Sequence, residues 1–134
     1  MRILLDTNIL ISAALFSGGT ASQAYTKAVT HPNKGVVCDW SIEELHRVFN
    51  RKFPSRIDFL NQFIAMASVA IEIIPTPVVA VPDEVKIRDV KDRPILRAAQ
   101  DAGVDILLTG DKDFLESGVA CPVILDPATF LEQC

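Results

Sequence analysis

The chain has 134 residues, of which 49% are hydrophobic and 22% charged, and its formal net charge is −4. This length and apolar fraction suit one compact domain with its own core, so we expect a single domain over residues 1–134. The negative charge excludes a protein that attracts a polyanion through an overall positive field, so contact with nucleic acid requires local basic patches or bound metal.

Cysteine spacing and the apolar start of the chain bear on the cell compartment. Cys38, Cys121 and Cys134 are odd in number and lie far apart without a CxxC pair, which argues against a disulfide framework or a zinc site. The apolar N-terminus is interrupted by polar residues at 6–8 before a signal-peptide core or a membrane span could form. We therefore expect a cytoplasmic protein with no membrane attachment.

The first half of the chain alternates short apolar runs with stretches of helical periodicity. Ile3-Leu4-Leu5 is typical of a buried strand, and Pro54 closes a helical stretch that Ser41 opens. The predicted elements are a strand over 3–5, a helix over 9–16, a helix ending near 29, a strand over 36–38, a helix over 41–53, a helix over 55–68 and a strand over 69–74.

The second half begins with a proline-rich crossing over 75–82. A helix over 92–102 follows, ended by Gly103, then a strand over 106–108, a strand over 123–125 and a terminal helix that starts at Asp126-Pro127. Strands that alternate with helices predict a three-layer α/β/α sandwich with a central, mostly parallel sheet.

Four carboxylates fall where ligands bind in such a sheet. Asp6 and Asp111 end two predicted strands, whereas Glu44 and Asp92 lie in the first turns of predicted helices. All four can face the carboxyl edge of the strands, where open parallel sheets bind their ligands. Carboxylates packed together repel one another unless a cation neutralises them, and their oxygens suit Mg²⁺ or Mn²⁺. The pattern predicts a metal site formed by these four residues.

Two of these acids also have a purely structural interpretation at a helix start. Ser41-Ile42-Glu43-Glu44 has the pattern of a capping box, in which Glu44 would accept from the Ser41 amide. Asp92 has the residue type and place of an N-cap. Either residue, taken alone, needs no metal to explain it.

The strand-end acids differ in how easily structure explains them. Asp111 can simply shape a turn, and Asp113 or Asp89 can take the place of a neighbour as the functional acid. Asp6 is harder to explain in this way, because an ionised carboxylate directly after a buried strand is costly without a partner, and no basic residue lies beside it in sequence.

Basic residues near the acids have two interpretations. Arg93 and Lys112 can contact the backbone of a substrate or can be ordinary solvated charges. A second basic cluster forms either a groove wall or the rim of a dimer; its members are Arg47, Arg51, Lys52 and Arg56. Neither His31 nor His46 has an evident serine or cysteine partner, so we expect no catalytic histidine.

Four blocks of the sequence carry a family likeness that spans most of the chain. They are Leu5-Asp6-Thr7-Asn8-Ile9-Leu10, Glu43-Glu44-Leu45, Asp89-Val90-Lys91-Asp92-Arg93-Pro94-Ile95-Leu96 and Leu108-Thr109-Gly110-Asp111-Lys112-Asp113-Phe114. In this order and spacing they resemble the PIN domain, the nuclease fold of VapC-type toxins from bacterial toxin–antitoxin pairs.

The resemblance implies a site and an activity. Asp6, Glu44, Asp92 and Asp111 match the acidic metal site of the family, and the positions that would support it are Asn8, Thr109, Asp113 and Asp89. The implied protein is a single PIN-like nuclease domain, a Mg²⁺- or Mn²⁺-dependent endoribonuclease that hydrolyses RNA to leave a 5′-phosphate. A small antitoxin and a homodimer are the implied partners.

Three other functions compete with this one. Haloacid-dehalogenase-like phosphatases also place an Asp at a strand end, but they need a second Asp two positions on, where this chain has Asn8. A receiver-like signalling domain suits the length, but not the placement of acids at the ends of the first and a late strand. The strongest alternative is a catalytically inactive PIN-fold interaction module or an RNA-processing subunit.

Overall fold

The computed structural model describes residues 1–134 and contains one five-stranded sheet in which every strand pair is parallel. The strand order is β3-β2-β1-β4-β5. The strands are β1 (Arg2–Leu5), β2 (Lys34–Cys38), β3 (Ile71–Ile74), β4 (Ile106–Leu108) and β5 (Val123–Leu125). Helices flank the sheet, so the predicted three-layer α/β/α architecture is confirmed.

The helices lie close to their predicted places. They are α1 (Thr7–Leu15), α2 (Thr20–Val29), α3 (Asp39–Lys52), α4 (Ile57–Ala67), α5 (Arg93–Ala102), α6 (Lys112–Leu115) and α7 (Pro127–Gln133). Short 3₁₀ turns lie at Pro54–Arg56, Pro82–Lys86 and Val90–Asp92. None of the helices combines the length and the hydropathy that a membrane crossing requires.

Several boundaries differ from the sequence-based expectation; for example, α1 begins at Thr7 rather than at residue 9, and β2 at Lys34 rather than at residue 36. Helix α3 begins at Asp39 rather than Ser41, and β3 begins at Ile71 rather than at residue 69. Helix α6 was not expected at all, because a helix of four residues is too short to show a period in the sequence.

A hydrophobic core lies on each face of the sheet, because successive strand residues point to opposite faces. Ile3 and Leu5 of β1 face one core, and Leu4 between them faces the other. The first core is closed by α1, α2, α3, α4 and α7, and the second mainly by α5 and α6. Both faces of the central strands are therefore covered, which leaves the carboxyl edge of the sheet as the place where polar groups gather.

The crossing from β3 to α5 is held down by an ion pair. Glu84 is only 6% exposed and accepts from Nε and Nη2 of Arg97 at 3.0 and 3.1 Å. Arg97 also donates to the carbonyl of Pro77 at 3.0 Å. A side chain of α5 thus fixes two points of the crossing, which then continues to Asp89 and the acidic edge of the sheet.

We predict that Glu84→Gln destabilises the protein by about 2 kcal/mol, since the change leaves the Arg97 guanidinium without its charged partner in a shielded position. The melting temperature should fall by roughly 8 °C in a chain of this size. Glu72→Gln is the matched control, because the Arg2–Glu72 pair is exposed and worth under about 1 kcal/mol. Equal losses of unfolding free energy in the two variants, measured by urea unfolding, would contradict a stabilising role for the Glu84–Arg97 pair.

Candidate metal centre

Asp6 lies at the junction of β1 and α1 and is 3% exposed. Its amide still belongs to the sheet and donates to the Leu108 carbonyl at 3.0 Å. Its carboxylate caps α1 by accepting from the Thr7 amide at 2.8 Å, and its other oxygen accepts from the Thr109 hydroxyl at 2.7 Å. The carboxylate is thus fixed by neutral donors alone.

Thr109 links Asp6 to the next acid along the edge. It follows β4 and is fully buried, and its hydroxyl accepts from the Asp111 amide at 3.0 Å while donating to Asp6. Asp111 caps α6 through one carboxylate oxygen, which accepts from the Asp113 amide at 2.9 Å. The turn-forming role that the sequence left open for Asp111 is therefore present, but it occupies only one of the two oxygens.

Neither of the two capping roles predicted at helix starts is found. Because α3 begins at Asp39, Glu44 lies beyond its first turn, and buried Ser41 approaches the Cys38 sulfur at 3.5 Å instead of forming a capping box. Asp92 holds the N-cap position of α5, yet its carboxylate makes no capping hydrogen bond. Both carboxylates are left without the structural role that would explain them.

These acids line one cleft of about 260 Å³ at the carboxyl edge of the sheet. Five carboxylates contribute to its wall, those of Asp6, Glu44, Asp89, Asp92 and Asp111. Thr7, Asn8, Arg51 and Lys52 also line it. None of the five acids is in an ion pair with a basic side chain. The cleft therefore concentrates negative charge that the protein does not itself neutralise.

A second grouping of acids overlaps the first at Asp92. One carboxylate oxygen each from Asp89, Asp92 and Asp113 lies within 4.8 Å of the others. Asp113 is already paired with Arg88, whose Nε lies 2.7 Å from its carboxylate. Asp92 belongs to both groupings. The other two members of the second grouping, Asp89 and Asp113, are residues that the sequence placed in supporting positions.

The crowding of carboxylates raises the pKa of two of them. Burial raises the pKa of Asp6 to about 6, against the opposing effect of its hydrogen bonds from Thr109 and Thr7, and the charges of Glu44 and Asp111 raise it further. Burial likewise raises the pKa of Asp92 to about 8, with further contributions from Asp6, Asp111 and Asp89. The site without a cation therefore favours a protonated Asp92 near neutral pH.

This donor set fits a hard divalent cation. The cleft offers carboxylate oxygens and no histidine or cysteine side chain, as Mg²⁺ and Mn²⁺ prefer and as Zn²⁺ generally does not. A cation would also remove the mutual repulsion that raises the pKa of Asp6 and Asp92. The residues present thus suit the metal that the sequence predicts.

Two predicted substrate-binding residues do not line this cleft. Arg93 donates through Nε to the Ile87 carbonyl at 2.9 Å, so it fixes the crossing before α5. Lys112 lies in a separate surface depression beside Lys86 and Arg88. The two further predicted supporting residues do face the acids: Thr109 by the bonds above, and Asn8 as an exposed residue on the cleft wall.

Thr7 was not predicted as a site residue, although its hydroxyl is buried at the cleft wall without a hydrogen-bond partner. Arg51 lies seven residues after Glu44, a spacing that places both on one face of α3 and was available from the sequence. Two members of the predicted basic cluster, Arg51 and Lys52, therefore form part of the cleft wall.

Comparison with known proteins assigns the family. Residues 2–113 match the family described as PIN domain. The chain belongs to the PIN domain family. A search among curated proteins finds no significant match to it.

Solved structures share the fold of this PIN domain at low sequence identity. VapBC2 from Rickettsia felis, bound to a DNA fragment from its promoter, has 14% identity and a TM-score of 0.71, covering 94% of this chain and 98% of that one. PAE2754 from Pyrobaculum aerophilum has 18% identity and a TM-score of 0.66, covering 99% and 88%. VapC20 from Mycobacterium tuberculosis, a Sarcin-Ricin loop cleaving toxin, has 17% identity and a TM-score of 0.60, covering 88% and 96%.

The raised pKa of Asp92 predicts how stability depends on pH in metal-free protein. Between about pH 4 and pH 8 the folded state binds more protons than the unfolded chain, so stability falls as pH rises through this range. Asp92→Asn removes the charge that causes this loss. With EDTA present, the variant should therefore be more stable than the parent above about pH 8 and similar to it near pH 5.

Urea unfolding at the two pH values measures the effect, and Asp101→Asn is the matched control because Asp101 is exposed on the same helix. A variant no more stable than the parent at either pH would show that Asp92 does not experience the crowded negative charge.

Proposed function

We propose that this protein is a Mg²⁺- or Mn²⁺-dependent endoribonuclease and the toxin component of a toxin–antitoxin pair. The observation that carries the proposal is the cleft of five carboxylates, which contains buried Asp6 and lacks any ion pair to a basic side chain. Unneutralised acids in a shielded position destabilise a fold, and binding a cation gives them a function. Membership of the PIN domain family supports the nuclease assignment.

Asp6, Glu44, Asp92 and Asp111 are the proposed metal ligands, with Asp89 beside them on the cleft wall. A bound divalent cation supplies a water of lowered pKa and neutralises charge on the scissile phosphate. Thr109 acts as a positioning residue, since its hydroxyl joins the Asp6 carboxylate to the Asp111 amide. Asp113 is a weaker candidate ligand, because Arg88 already pairs with it.

The remaining cleft residues suit a phosphodiester substrate. Arg51 and Lys52 line the cleft without an acidic partner, so both are available to contact phosphates on either side of the cleaved bond. His31 is exposed in a loop and His46 does not line the cleft. Acid and base chemistry therefore falls to the carboxylates and to water. The likeness to PIN-domain nucleases implies a 5′-phosphate product.

The partner assignment rests on the shared fold. VapC20, which shares this fold, is a Sarcin-Ricin loop cleaving toxin, and VapBC2, which also shares it, binds a DNA fragment from its promoter. We extend to this chain an RNA substrate, a homodimer and a small antitoxin. The antitoxin is expected to place an Arg or Lys among the carboxylates, because a cationic side chain satisfies the same unpaired charges that a metal ion does.

The competing function is an inactive PIN-fold interaction module or an RNA-processing subunit. Such a protein gains nothing from keeping two carboxyl groups at raised pKa, since neutral residues of similar size in their place would stabilise it. The presence of these two acids, despite the stability that they cost the fold, favours a site that binds metal.

Purified protein should cleave single-stranded RNA in the presence of Mg²⁺ or Mn²⁺, and EDTA should stop the reaction. Asp6→Asn and Asp92→Asn should each lower the rate by at least about a hundredfold, because each removes a charged ligand at the reacting centre. Asp101→Asn is expected to cleave at the parent rate. Folding of each variant is checked by its melting curve.

Cleavage that survives both Asn variants would exclude this cleft as the active site. Full loss of cleavage in Asp101→Asn would instead indicate a general defect of the preparation. An absence of cleavage with either metal, in protein that binds the metal, would favour the inactive interaction module.

Co-expression with the product of the adjacent small reading frame should yield a stable complex with suppressed nuclease activity. Growth arrest on expression of this chain alone, relieved by that partner, is the expected cellular result. The Asp92→Asn variant should not arrest growth. An isolated coding region whose product has no effect on growth would contradict the toxin assignment but leave the nuclease assignment in place.

A further inference from the structure

A second cleft, of about 490 Å³, adjoins the acidic one and has a different chemistry. Its wall consists of Trp40, Glu44, Arg47, Val48, Arg51 and Lys91. Glu44, Val48 and Arg51 also line the acidic cleft, so the two form one continuous groove. We name this second part the Trp40 cleft. Its volume is in the range of sites that hold a small ligand or one unit of a polymer.

The groove follows one face of α3. Trp40, Glu44, Arg47 and Arg51 recur at spacings of three and four residues, which places them in a row along the helix. At a rise of about 1.5 Å per residue, Trp40 lies roughly 6 Å from Glu44 along the helix axis. Trp40 therefore lies about one helical turn before Glu44, which lines both clefts.

Trp40 is partly buried and contacts both the core and a basic side chain. It packs against the second core. The guanidinium of Arg47 lies over its ring, 5.3 Å from the centroid. The indole N–H has no acceptor among the groups of the protein. Because a guanidinium is planar, Arg47 on this wall offers a flat cation to the groove.

The charge of the Trp40 cleft is positive and unpaired. Arg47, Arg51 and Lys91 form no ion pair with any acid of the chain, and Glu44 is the one acid on this wall. Basic side chains interleaved with an aromatic ring are the features by which proteins bind single-stranded nucleic acid without pairing its bases. A chain with net charge −4 needs such a local patch to hold a polyanion.

We propose that the Trp40 cleft binds the nucleotide of single-stranded RNA next to the cleaved phosphodiester. Its base stacks on the Arg47 guanidinium, which lies over the Trp40 ring, and its phosphate contacts Arg51 and Lys91. The inference rests on the proposed function, since it assumes that RNA is the strand lying over the acids. The unpaired cations favour this polyanion over a protein segment.

Trp40 is the only tryptophan of the chain, so its fluorescence reports directly on this cleft. A short single-stranded RNA of mixed sequence, titrated into Asp92→Asn protein with Mg²⁺, should quench its emission without being cut. Duplex RNA of the same sequence should quench it much less, because paired bases cannot stack on the Arg47 guanidinium above the ring. Parallel anisotropy of labelled RNA gives the Kd.

Single substitutions distinguish RNA binding at this subsite from a general effect of removing positive charge. Arg47→Ala and Trp40→Ala should each weaken RNA binding at least about fivefold, the lower end of the loss expected for one stacked base. Trp40→Phe should retain most of the affinity. The matched control is Arg56→Ala, because Arg56 lies over the Phe59 ring at 4.9 Å but lines neither cleft. It should bind RNA like the parent.

Cleavage assays test whether the subsite binds the RNA that is cut. In otherwise unaltered protein, Arg47→Ala should raise KM with a smaller change in kcat, since it removes binding at a position beside the reacting bond. Lys91→Ala should also reduce the salt dependence of binding, because a phosphate contact is lost.

The outcomes distinguish this inference from the proposed function. Cleavage with unchanged KM in Arg47→Ala and Trp40→Ala would overturn the subsite and leave the nuclease intact. Trp40-dependent RNA binding without any cleavage would support the subsite and contradict the nuclease. A change of Trp40 emission on raising the protein concentration alone, with no response to RNA, would assign the surface to self-association and overturn the inference.

Discussion

The carboxylate of Asp6 is almost fully buried where β1 ends, and only neutral donors reach it: the Thr7 amide and the Thr109 hydroxyl. The rest of the site depends on this arrangement. Because β1 and β4 are neighbours in the sheet, Thr109 can join Asp6 to Asp111, and the charge of Asp6 then acts on Asp92 across the cleft. Hydrogen bonds partly offset the cost of burial, but they supply no positive charge.

The two hydrophobic cores keep these charges together. Strand residues alternate between the cores, so the sheet is rigid on both faces and its edge cannot relax to move the acids apart. The Glu84–Arg97 ion pair likewise fixes the crossing that leads to Asp89. Along α3, the periodicity that directs Leu45 and Phe49 into a core directs Glu44 and Arg51 to the groove. One helix thus contributes to the core, the acidic cleft and the Trp40 cleft.

The sequence predicted those parts that depend on short-range patterns. Apolar runs identified the strands, and an acid within three residues of the end of a run placed Asp6 and Asp111 at the edge of the sheet. The capping box at Ser41 was wrong, because a four-residue pattern does not reveal that α3 begins two residues earlier. The proximity of Asp89 and Asp113 to Asp92 depends on how the crossing folds back on α5, which no periodicity encodes. Trp40 was missed because Arg47 was assigned to a basic cluster at a groove wall or a dimer rim, and the contact between the two side chains is not visible in the sequence.

The central claim is that the edge carboxylates share a divalent cation. It is tested most directly by the anomalous scattering of a crystal soaked in Mn²⁺. We expect a peak within about 2.2 Å of an Asp92 oxygen and of at least one more oxygen from Asp6, Asp89 or Asp111. A fully soaked crystal with no peak in this cleft, or with manganese bound only at other acids, would contradict it.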